Sequence, residues 1–383
     1  MTLDDATRAV YGAVVVGGGV VGLAAAWHLL RLGCRPVAVV ERFRIGHERG
    51  GSHGSVRMTR SAYASPVYAG LMRHVREQEW PRLERAARLT LVHPRDVLFF
   101  GPDRAALGAY AASVQAAGAD VGSIPVREAR RRFPSLRFTD DMEILLDRTG
   151  GSVTADGTIR ALYRLVAAAG GAVLEDTRIV ALDGDASAVR VVSDRGVLRA
   201  ERVVVATGAW LRQLAPAAAG AMTVVPQTVA YFRLDEPAAT VPSWIRFDGP
   251  DDITYGLPEI GRDALKSGRH VTRGPGADPD EVDPPSAGEV EALRHGLGQI
   301  LTVPIRELVG AERCLYTMTP TEDFVIDRSP DDPRVVFASA CSGHGFKFAP
   351  LTGRILAELV VHGRVDLPDG LDAGSLFGLN RAA

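Results

Sequence analysis

A glycine-rich stretch near the start limits the fold more than any other feature of the sequence. An apolar run at 14–16 leads through Gly17-Gly18-Gly19-Val20-Val21-Gly22 into an alanine-rich segment, then into a second apolar run that ends at Glu41. Strand, Gly-x-Gly-x-x-Gly turn, helix, strand and acid predict one βαβ unit that binds an adenine dinucleotide. We expect Gly17 to allow the tight turn, Gly19 to let the backbone approach a pyrophosphate, and Gly22 to let helix and strand pack closely. The helix N-terminus would face the phosphates and Glu41 the ribose hydroxyls. The alternative is a glycine-rich turn in an α/β protein of another kind.

Composition favours an ordinary globular protein of about two domains. The chain has 383 residues, of which 46% are hydrophobic and 23% charged, and its net charge is −2. This balance gives no reason to expect nucleic acid or an anionic membrane as a partner. No apolar run approaches the roughly 20 residues of a membrane span, and no signal-peptide pattern precedes the first strand, so we expect a cytoplasmic protein. Three dispersed cysteines are too few for a disulfide framework or a metal cluster.

Lysine is almost absent from the chain. Of its 44 Lys and Arg residues only two are lysines, Lys266 and Lys347. A bias this strong suggests that arginine stands wherever a bare positive charge suffices. A remaining lysine is then a candidate for chemistry that needs a compact charge or a tunable pKa. The alternative is chance survival on the surface.

The order of predicted elements indicates two interleaved domains in an α/β (α+β) fold. Residues 1–88, 145–217 and 316–383 would form a discontinuous Rossmann-like dinucleotide-binding domain, and 89–144 and 218–315 an antiparallel-sheet substrate domain. We expect the ligand site between them. The pattern predicts helices over 66–88, 104–118, 158–169, 287–301 and 351–361.

Two shorter motifs lie where a cofactor could contact them. The loop Gly51-Ser52-His53-Gly54 is either a disordered linker or a segment that wraps a cofactor with its backbone amides. The turn Ala206-Thr207-Gly208 follows a buried strand, but such a tripeptide carries little weight alone.

Three separated stretches together resemble the monomeric sarcosine oxidase family. They are the fingerprint from Gly17 to Glu41, the loop at 51–54 with Arg57 and Arg60, and the tail that runs from Cys314-Leu315-Tyr316-Thr317 to Gly343-His344-Gly345-Phe346-Lys347-Phe348. The wider group includes N-methyltryptophan and pipecolate oxidases of the D-amino-acid-oxidase-like flavoproteins. The resemblance covers essentially the whole chain in the same order.

This resemblance implies FAD, attached covalently through a thioether to Cys314. It also implies a set of residues around the cofactor. These are Gly17, Gly19, Gly22, Glu41, Arg42, Ser52, His53, Arg57, Val173, Thr207, Gly208, Gly343, His344, Gly345, Phe346 and Lys347, besides Cys314. For His344 we expect a backbone contact rather than proton transfer.

The resemblance further implies oxidation of a secondary amino acid, either N-methyl or cyclic. Hydride would leave the carbon next to nitrogen for flavin N5, giving an imine, and O2 would reoxidise the flavin to yield H2O2. Arg60 and Lys347 match residues that hold the substrate carboxylate, and Lys266 matches an oxygen-activating lysine. Tyr255, Tyr316 and His270 match residues that line the substrate cavity, although His270 could equally be a structural histidine. The family implies a monomer.

Two departures bear on the substrate. Ala340-Cys341 stands where many relatives have Gly-Phe, and Ser55-Val56 stands where sarcosine oxidase has Asp-Thr. Both changes argue against sarcosine itself and favour a bulkier or cyclic amino acid. Two alternatives stay open: an amine dehydrogenase or biosynthetic tailoring flavoenzyme that uses another acceptor, and a non-catalytic flavin redox sensor.

Overall fold

The computed structural model describes residues 10–220, 222–368 and 371–379, so the predicted domain ends at 1–9 and 380–383 lie outside it. The strands are β1 (Val10–Tyr11), β2 (Ala13–Val16), β3 (Val37–Val40), β4 (Val56–Thr59), β5 (Val92–Pro94), β6 (Val97–Gly101), β7 (Val121–Ser123), β8 (Glu143–Asp147), β9 (Gly151–Thr154), β10 (Ala172–Leu174), β11 (Ile179–Gly184), β12 (Val189–Ser193), β13 (Gly196–Ala200), β14 (Val203–Val205), β15 (Thr223–Leu234), β16 (Ser243–Gly249), β17 (Asp252–Pro258), β18 (Leu265–Arg269), β19 (Ile305–Met318), β20 (Val325–Arg328) and β21 (Val335–Ser339). The α-helices are α1 (Val20–Arg31), α2 (Pro66–His74), α3 (Trp80–Ala87), α4 (Arg104–Ala116), α5 (Val126–Arg132), α6 (Ala155–Ala168), α7 (Leu211–Leu214), α8 (Pro216–Ala219), α9 (Ala287–Ile300), α10 (Ala349–His362) and α11 (Ala373–Phe377).

A six-stranded sheet carries the glycine-rich unit. Its order is β10-β3-β2-β14-β21-β20, parallel except for the antiparallel edge strand β20. Alternate residues of its strands pack on α1, α6 and α10 on one face, and on the small sheet β1-β13-β12-β11 on the other. Burial on both faces explains why these strands are apolar throughout.

An eight-stranded sheet, here called the large sheet, forms the second half of the fold. Its order is β19-β15-β18-β17-β16-β6-β8-β7, antiparallel except where β6 meets β16. Helix α9 packs on one face, whereas the other face carries the residues of the site described below. The predicted domain boundaries at 145 and 316 fall inside β8 and β19, and both strands pair along their length with this sheet. The division into two domains stays a prediction.

The helix predicted over 66–88 is α2 and α3 joined by a π-helical turn, Val75–Glu79. The carboxylate of Glu79 is buried there and accepts hydrogen bonds from Arg82 at 2.6 Å and from Arg354 of α10 at 2.8 Å. The indole of the next residue, Trp80, donates to the carbonyl of Lys347 at 2.9 Å. This segment therefore braces both α10 and the turn before it. No helix in the described part of the chain is long and apolar enough to cross a membrane.

Candidate active site

Two adjoining cavities lie where the six-stranded sheet meets the large sheet. The first, about 600 Å³, runs along the glycine-rich turn, and the second, about 540 Å³, lies against the large sheet. Four residues line both: Gly51, Leu315, Cys341 and Phe346. The two cavities therefore adjoin at these residues.

The glycine-rich turn has the close packing that its sequence predicts. Gly17 has φ +108°, and a Cβ there would lie 2.4 Å from the carbonyl oxygen of Ala206. A Cβ at Gly22 would lie 1.9 Å from the carbonyl oxygen of Gly17, so α1 could not approach the turn with any larger residue. Gly19 lines the cavity at the helix N-terminus, where backbone N–H groups face it.

Glu41 holds the turn as well as facing the cavity. Its buried carboxylate accepts hydrogen bonds from the backbone N–H of Gly18 at 2.6 Å and of Phe43 at 2.8 Å. Because each carboxylate oxygen can accept more than one bond, contact with a ribose stays open to it. Ser52 accepts from the backbone N–H of Val20 at 3.1 Å and so ties the 51–54 loop to the start of α1.

The first cavity fits a dinucleotide. Two side chains that line it carry buried polar oxygens without a hydrogen-bond partner among the described residues: Oγ1 of Thr207 and Oγ of Ser339. Buried polar atoms are seldom left unpaired, so these atoms point to a polar ligand. Gly208, Arg42 and the backbone around Gly17–Gly19 complete the same lining. The volume and elongated lining match an FAD-sized group.

Three lining residues of the first cavity share one acidic partner, Asp280. Arg42 pairs with its carboxylate at 2.7 Å, and the indole of Trp210 donates to it at 2.8 Å. Gln213 donates at 3.3 Å. Asp280 lies in the segment between β18 and α9, and we call this group the Asp280 clasp. No pattern in the sequence pointed to it.

Val173 does not line either cavity, contrary to its predicted place at the cofactor. It lies in the middle of β10, paired with Val39, whereas Glu175 and Thr177 beyond the strand end line the first cavity. In a parallel sheet it is the carboxyl end of the strand that reaches the crevice. Gly22 also stays outside the lining, which agrees with its packing role.

The second cavity collects most of the predicted catalytic residues. Its large-sheet wall carries Tyr255, Lys266, His270, Cys314 and Tyr316. The opposite wall carries Arg57, Arg60 and the turn with Gly343, His344, Gly345, Phe346 and Lys347. Cross-strand pairing of Cys314 with Gln227 and of Tyr231 with Lys266 places this lysine and cysteine on the same face of the sheet.

Arg57 braces the 51–54 loop. Its guanidinium donates to the backbone carbonyls of Gly51, His53 and Val56 at 3.1, 2.6 and 2.9 Å. The loop thus has a defined conformation, in which Gly51 lines both cavities and residues 52–54 line the first, and this favours the cofactor-wrapping interpretation over a disordered linker.

The half-buried Arg60 and the buried Lys347 bring two positively charged side chains to one end of the second cavity. The guanidinium of Arg60 lies 4.2 Å from the ring centre of Tyr63, and Lys347 Nζ donates to the Tyr63 hydroxyl and to the carbonyl of His344, each at 3.0 Å. No carboxylate among the described residues forms an ion pair with either cation. Burial, together with the nearby Arg60 charge, holds the pKa of Lys347 well below its ordinary value. An anionic ligand would therefore be strongly favoured here.

Two histidines and two tyrosines of this cavity are uncharged, and its lining also includes Asp251, Glu322, Asp323 and Arg273. Burial, Arg60 and Lys347 lower the pKa of His270 to about 4. Burial likewise lowers the pKa of His344, whose Nε2 lies 3.0 Å from the carbonyl of Glu322. Burial raises the pKa of Tyr255 and of Tyr316, so both remain phenols.

Lys266 and Cys314 face the junction of the cavities. Lys266 Nζ donates to the carbonyl of Val56 at 3.4 Å, and burial, with Arg57 close by, lowers its pKa to about 8. Burial raises the pKa of the Cys314 thiol, while Arg57 and Lys266 act in the opposite direction. Cys341 lines both cavities, and its Sγ accepts from the backbone N–H of Thr317 at 3.4 Å. Within the described ranges, no group of three or more His, Cys, Asp and Glu side chains could hold a metal ion.

Sequence reasoning missed two further residues of this site, Tyr63 and Glu312. Tyr63 follows Arg60 by three residues outside any regular element, so no periodicity placed it beside Lys347. Glu312 stands two positions before Cys314 in a strand, and strand alternation could have placed it on the same face.

Comparisons with known proteins agree with this arrangement. Residues 13–359 match the family model DAO, FAD dependent oxidoreductase. Peroxisomal sarcosine oxidase of Mus musculus is 31% identical over 91% of this chain and 92% of its own length. Monomeric sarcosine oxidase of Arthrobacter sp. is 30% identical over 97% of each chain. The solved structure of NikD, an unusual amino acid oxidase essential for nikkomycin biosynthesis, superposes with a TM-score of 0.84 at 28% identity, over 96% of this chain and 97% of that one.

Proposed function

Because this chain belongs to the DAO family of FAD-dependent oxidoreductases, we propose that it oxidises a secondary amino acid, N-methyl or cyclic, to an imine. The reaction removes two hydrogens from the CH–NH unit, and O2 takes them up as H2O2. FAD, when bound, supplies the acceptor for the hydride. The observation that carries the proposal is the pair of cations, half-buried Arg60 and buried Lys347, at the end of a cavity that adjoins the dinucleotide cavity.

These cations give the substrate carboxylate its place. Arg60 offers a planar fork that can bind a carboxylate through two hydrogen bonds, and Lys347 adds a second donor held by Tyr63. Because the cations lie together at one end of the cavity, carboxylate binding would orient the rest of the substrate towards Cys314 and the cofactor cavity. Orientation of this kind is the main contribution that a protein makes to a flavin reaction.

Among the lining residues, which also include Asp251, Glu322 and Asp323, the neutral histidine and tyrosine side chains favour a neutral substrate amine. His270, Tyr255 and Tyr316 are neutral in the range where the enzyme would work, so they offer no counter-charge to an ammonium group. A bound amine would therefore lose its proton more easily than in water. The neutral amine has the lone pair that the developing imine requires.

The volume of the cavity supports a substrate larger than sarcosine. About 540 Å³ lies within the range that holds drug-sized ligands. Cys341 stands at the junction, in place of the aromatic residue of many relatives, and leaves space beside the cofactor position. We therefore propose a cyclic or bulky secondary amino acid.

Cys314 and Lys266 are proposed to act on the cofactor side. Cys314 faces the junction of the cavities, which supports covalent attachment of FAD through a thioether. Lys266, a buried cation at the same wall, supports O2 as acceptor, since a fixed positive charge stabilises an anion formed from oxygen. Cytoplasmic location and a monomeric state stay predictions.

The proposal is tested by substrate oxidation in a peroxide-coupled assay. A panel of sarcosine, N-methyl amino acids and cyclic secondary amino acids should show turnover with the bulkier members preferred. In the Lys347→Met variant, KM for the preferred substrate should rise roughly 10-fold or more, because one charge-assisted hydrogen bond to the carboxylate is lost. The corresponding amine without a carboxylate should be a poor substrate that responds little to this substitution. Absence of turnover with every member, while the purified protein carries oxidised flavin, would contradict the proposal.

A further inference from the structure

Glu312 lies on the same face of the large sheet as the proposed cofactor residues. Strand β19 pairs with β15 so that Glu312 stands opposite Val229, and β15 pairs with β18 so that Tyr231 stands opposite Lys266. Side chains alternate along each strand, so Glu312, Tyr231, Lys266 and Cys314 all point from one face. A carboxylate thus stands within the wall that carries both the lysine and the cysteine.

The carboxylate of Glu312 is held between three groups. Its Oε1 accepts a hydrogen bond from the Tyr231 hydroxyl and lies 3.7 Å from Lys266 Nζ. Its Oε2 lies 3.7 Å from Nε2 of His53, a residue that lines the first cavity. No other carboxylate of the described residues lies within ion-pair distance of Lys266.

The backbone at Gly54 is shaped around this carboxylate. Gly54 has φ +91°, and a Cβ there would lie 3.0 Å from Glu312 Oε1, 3.3 Å from Arg57 Nη1 and 3.4 Å from the Tyr231 hydroxyl. A side chain at this position would therefore push into the group. Tyr231, which fixes one oxygen, and the close Gly54 backbone together restrict Glu312 to one orientation.

We propose that Glu312 is a positioning residue that retains the proton on Lys266 and so keeps a positive charge at the wall beside the cofactor cavity. Lys266 is fully enclosed and has Arg57 as a neighbour, so without a counter-charge it would give up its proton readily. Glu312 supplies that counter-charge from outside the substrate cavity, where it does not compete with the carboxylate of the substrate for Arg60 and Lys347. The inference rests on the proposed function only in requiring bound flavin as a reporter.

The electrostatic balance agrees with this role. Burial and Arg57 lower the pKa of Lys266, whereas Glu312 raises it. Burial favours the neutral acid at Glu312, but Lys266 and the Tyr231 hydroxyl outweigh it and hold the pKa of this carboxyl below its ordinary value. Burial, with smaller effects of Arg57 and Lys266, lowers the pKa of His53 despite the opposing charge of Glu312, so the imidazole stays neutral. The titratable or charged groups that face Lys266 are Arg57, Glu312, Cys314, Glu259, Tyr231 and His53.

The experiment is a pH titration of the flavin absorbance spectrum of the purified holoenzyme. Deprotonation of a cation beside the flavin changes its spectrum, and the transition that disappears in Lys266→Met identifies the lysine. In Glu312→Gln the midpoint of that transition should fall by about 1 to 3 pH units, the range expected when one opposite charge at this distance is removed. Glu307→Gln, an exposed position on the same strand, is the matched control and should leave the midpoint unchanged.

Two further variants separate a charge effect from a packing effect. Glu312→Asp keeps the charge, so its midpoint should lie close to that of the native protein. Glu312→Ala removes the charge, so its midpoint should fall as in Glu312→Gln. If the Glu312→Gln protein does not retain flavin, the difference in midpoint between Glu312→Asp and Glu312→Ala provides the same test. A midpoint in Glu312→Gln or Glu312→Ala that equals that of the native protein would overturn the inference.

This readout does not depend on the proposed reaction. If no amino acid is oxidised but the midpoint falls in Glu312→Gln, the inference stands and the proposed function fails. If substrates are oxidised and the midpoint does not move, the proposed function stands and the inference fails. If both the inference and the proposed function hold, flavin reoxidation by O2 should slow at high pH as Lys266 loses its proton. In Glu312→Gln this decline should begin at a lower pH, shifted by the same interval as the spectral midpoint. The pH dependence of flavin reduction by substrate should not shift in this way.

Discussion

Replacing Glu79 by glutamine tests the brace between the π-helical turn and α10. The Glu79 side chain is only 1% exposed. Its carboxylate accepts hydrogen bonds from Arg82 at 2.6 Å and from Arg354 at 2.8 Å, and it lies 3.0 Å from His74 Nε2. The substitution removes one of the two carboxylates that pair with Arg354, whose side chain is 14% exposed, and leaves Glu358 at 2.9 Å as its remaining partner. Breaking a buried ion pair by removing one partner costs about 3–5 kcal/mol. Because Arg82 is partly exposed, we expect the free energy of unfolding to fall by about 3 kcal/mol.

A second estimate gives a similar loss. Burial raises the pKa of Glu79, but the hydrogen bond with His74 and the charges of Arg354, Arg82 and His28 outweigh it and lower this pKa from 4.5 to about 2. Such a shift corresponds to roughly 3 kcal/mol of stability at neutral pH. With an unfolding entropy of about 2.1 cal/mol/K per residue, this loss lowers Tm by roughly 4 °C for a chain of this length.

The effect of pH has a definite sign. Because the folded-state pKa of Glu79 lies below its unfolded value, its contribution is present above about pH 4.5 and is lost as the pH falls towards 2. The Tm difference between native protein and Glu79→Gln should therefore be full at pH 7 and shrink between pH 5 and pH 3. Burial also lowers the pKa of His28, a neighbour of this group, to about 3, so its contribution falls in both proteins below about pH 6.5.

The assay is thermal unfolding followed by circular dichroism at pH 7, 5, 4 and 3. Glu77→Gln is the matched control, since Glu77 lies on the same π-helical turn but its side chain is 50% exposed, and Arg76 is its one ion-pair partner among the described residues. That exposed pair should contribute at most about 1 kcal/mol, so Tm should move by about 1 °C or less. A Glu79→Gln variant that melts within 1 °C of the native protein at pH 7 would refute the reasoning, as would a difference that persists unchanged to pH 3.

Two further predictions concern the cofactor wall. Cys314→Ser should release FAD into the supernatant on acid precipitation, whereas Cys341→Ser, which alters the other thiol at the cavity junction, should keep the yellow colour in the pellet; colour in the pellet of Cys314→Ser would exclude the proposed thioether. Lys266→Met should slow reoxidation of the reduced flavin by O2 by roughly 10²- to 10³-fold in stopped-flow measurements, since a charge that stabilises a developing anion is lost, and should spare reduction by substrate. The exposed Arg269→Met on the same strand is its control, and unchanged reoxidation in Lys266→Met would show that this lysine has no role in oxygen reduction.

Most of the architecture follows from local patterns in the sequence. Local hydrophobic patterns indicate the elements that pack through their own residues. These are the glycine-rich unit at residues 14–41, the apolar parallel strands and the helices over 104–116 and 349–362. The membership of the resembling family, predicted from three separated motifs, is confirmed by the comparisons. The roles of the individual site residues stay predictions.

The parts that could not be predicted depend on contacts between distant segments. Tyr63 meets Lys347 across 284 residues, and Trp210 meets Asp280 across 70, and neither pair leaves a periodic trace in the chain. The position of Val173 outside the lining of both cavities has a different origin. A short apolar strand does not itself show which residue reaches the carboxyl end of the sheet, and this position depends on the register with β3.

The Asp280 clasp gives the dinucleotide cavity a rim drawn from both halves of the fold. Arg42 follows the second strand of the six-stranded sheet, whereas Asp280 belongs to the segment that joins β18 of the large sheet to α9. The cavity is therefore complete only when both sheets are folded and in contact. A ligand that binds this cavity stabilises the assembled state over every partly unfolded one, by an amount that grows with the logarithm of its free concentration. Flavin saturation and the stability of the assembled fold are thus thermodynamically linked, so Tm should rise with the concentration of free cofactor.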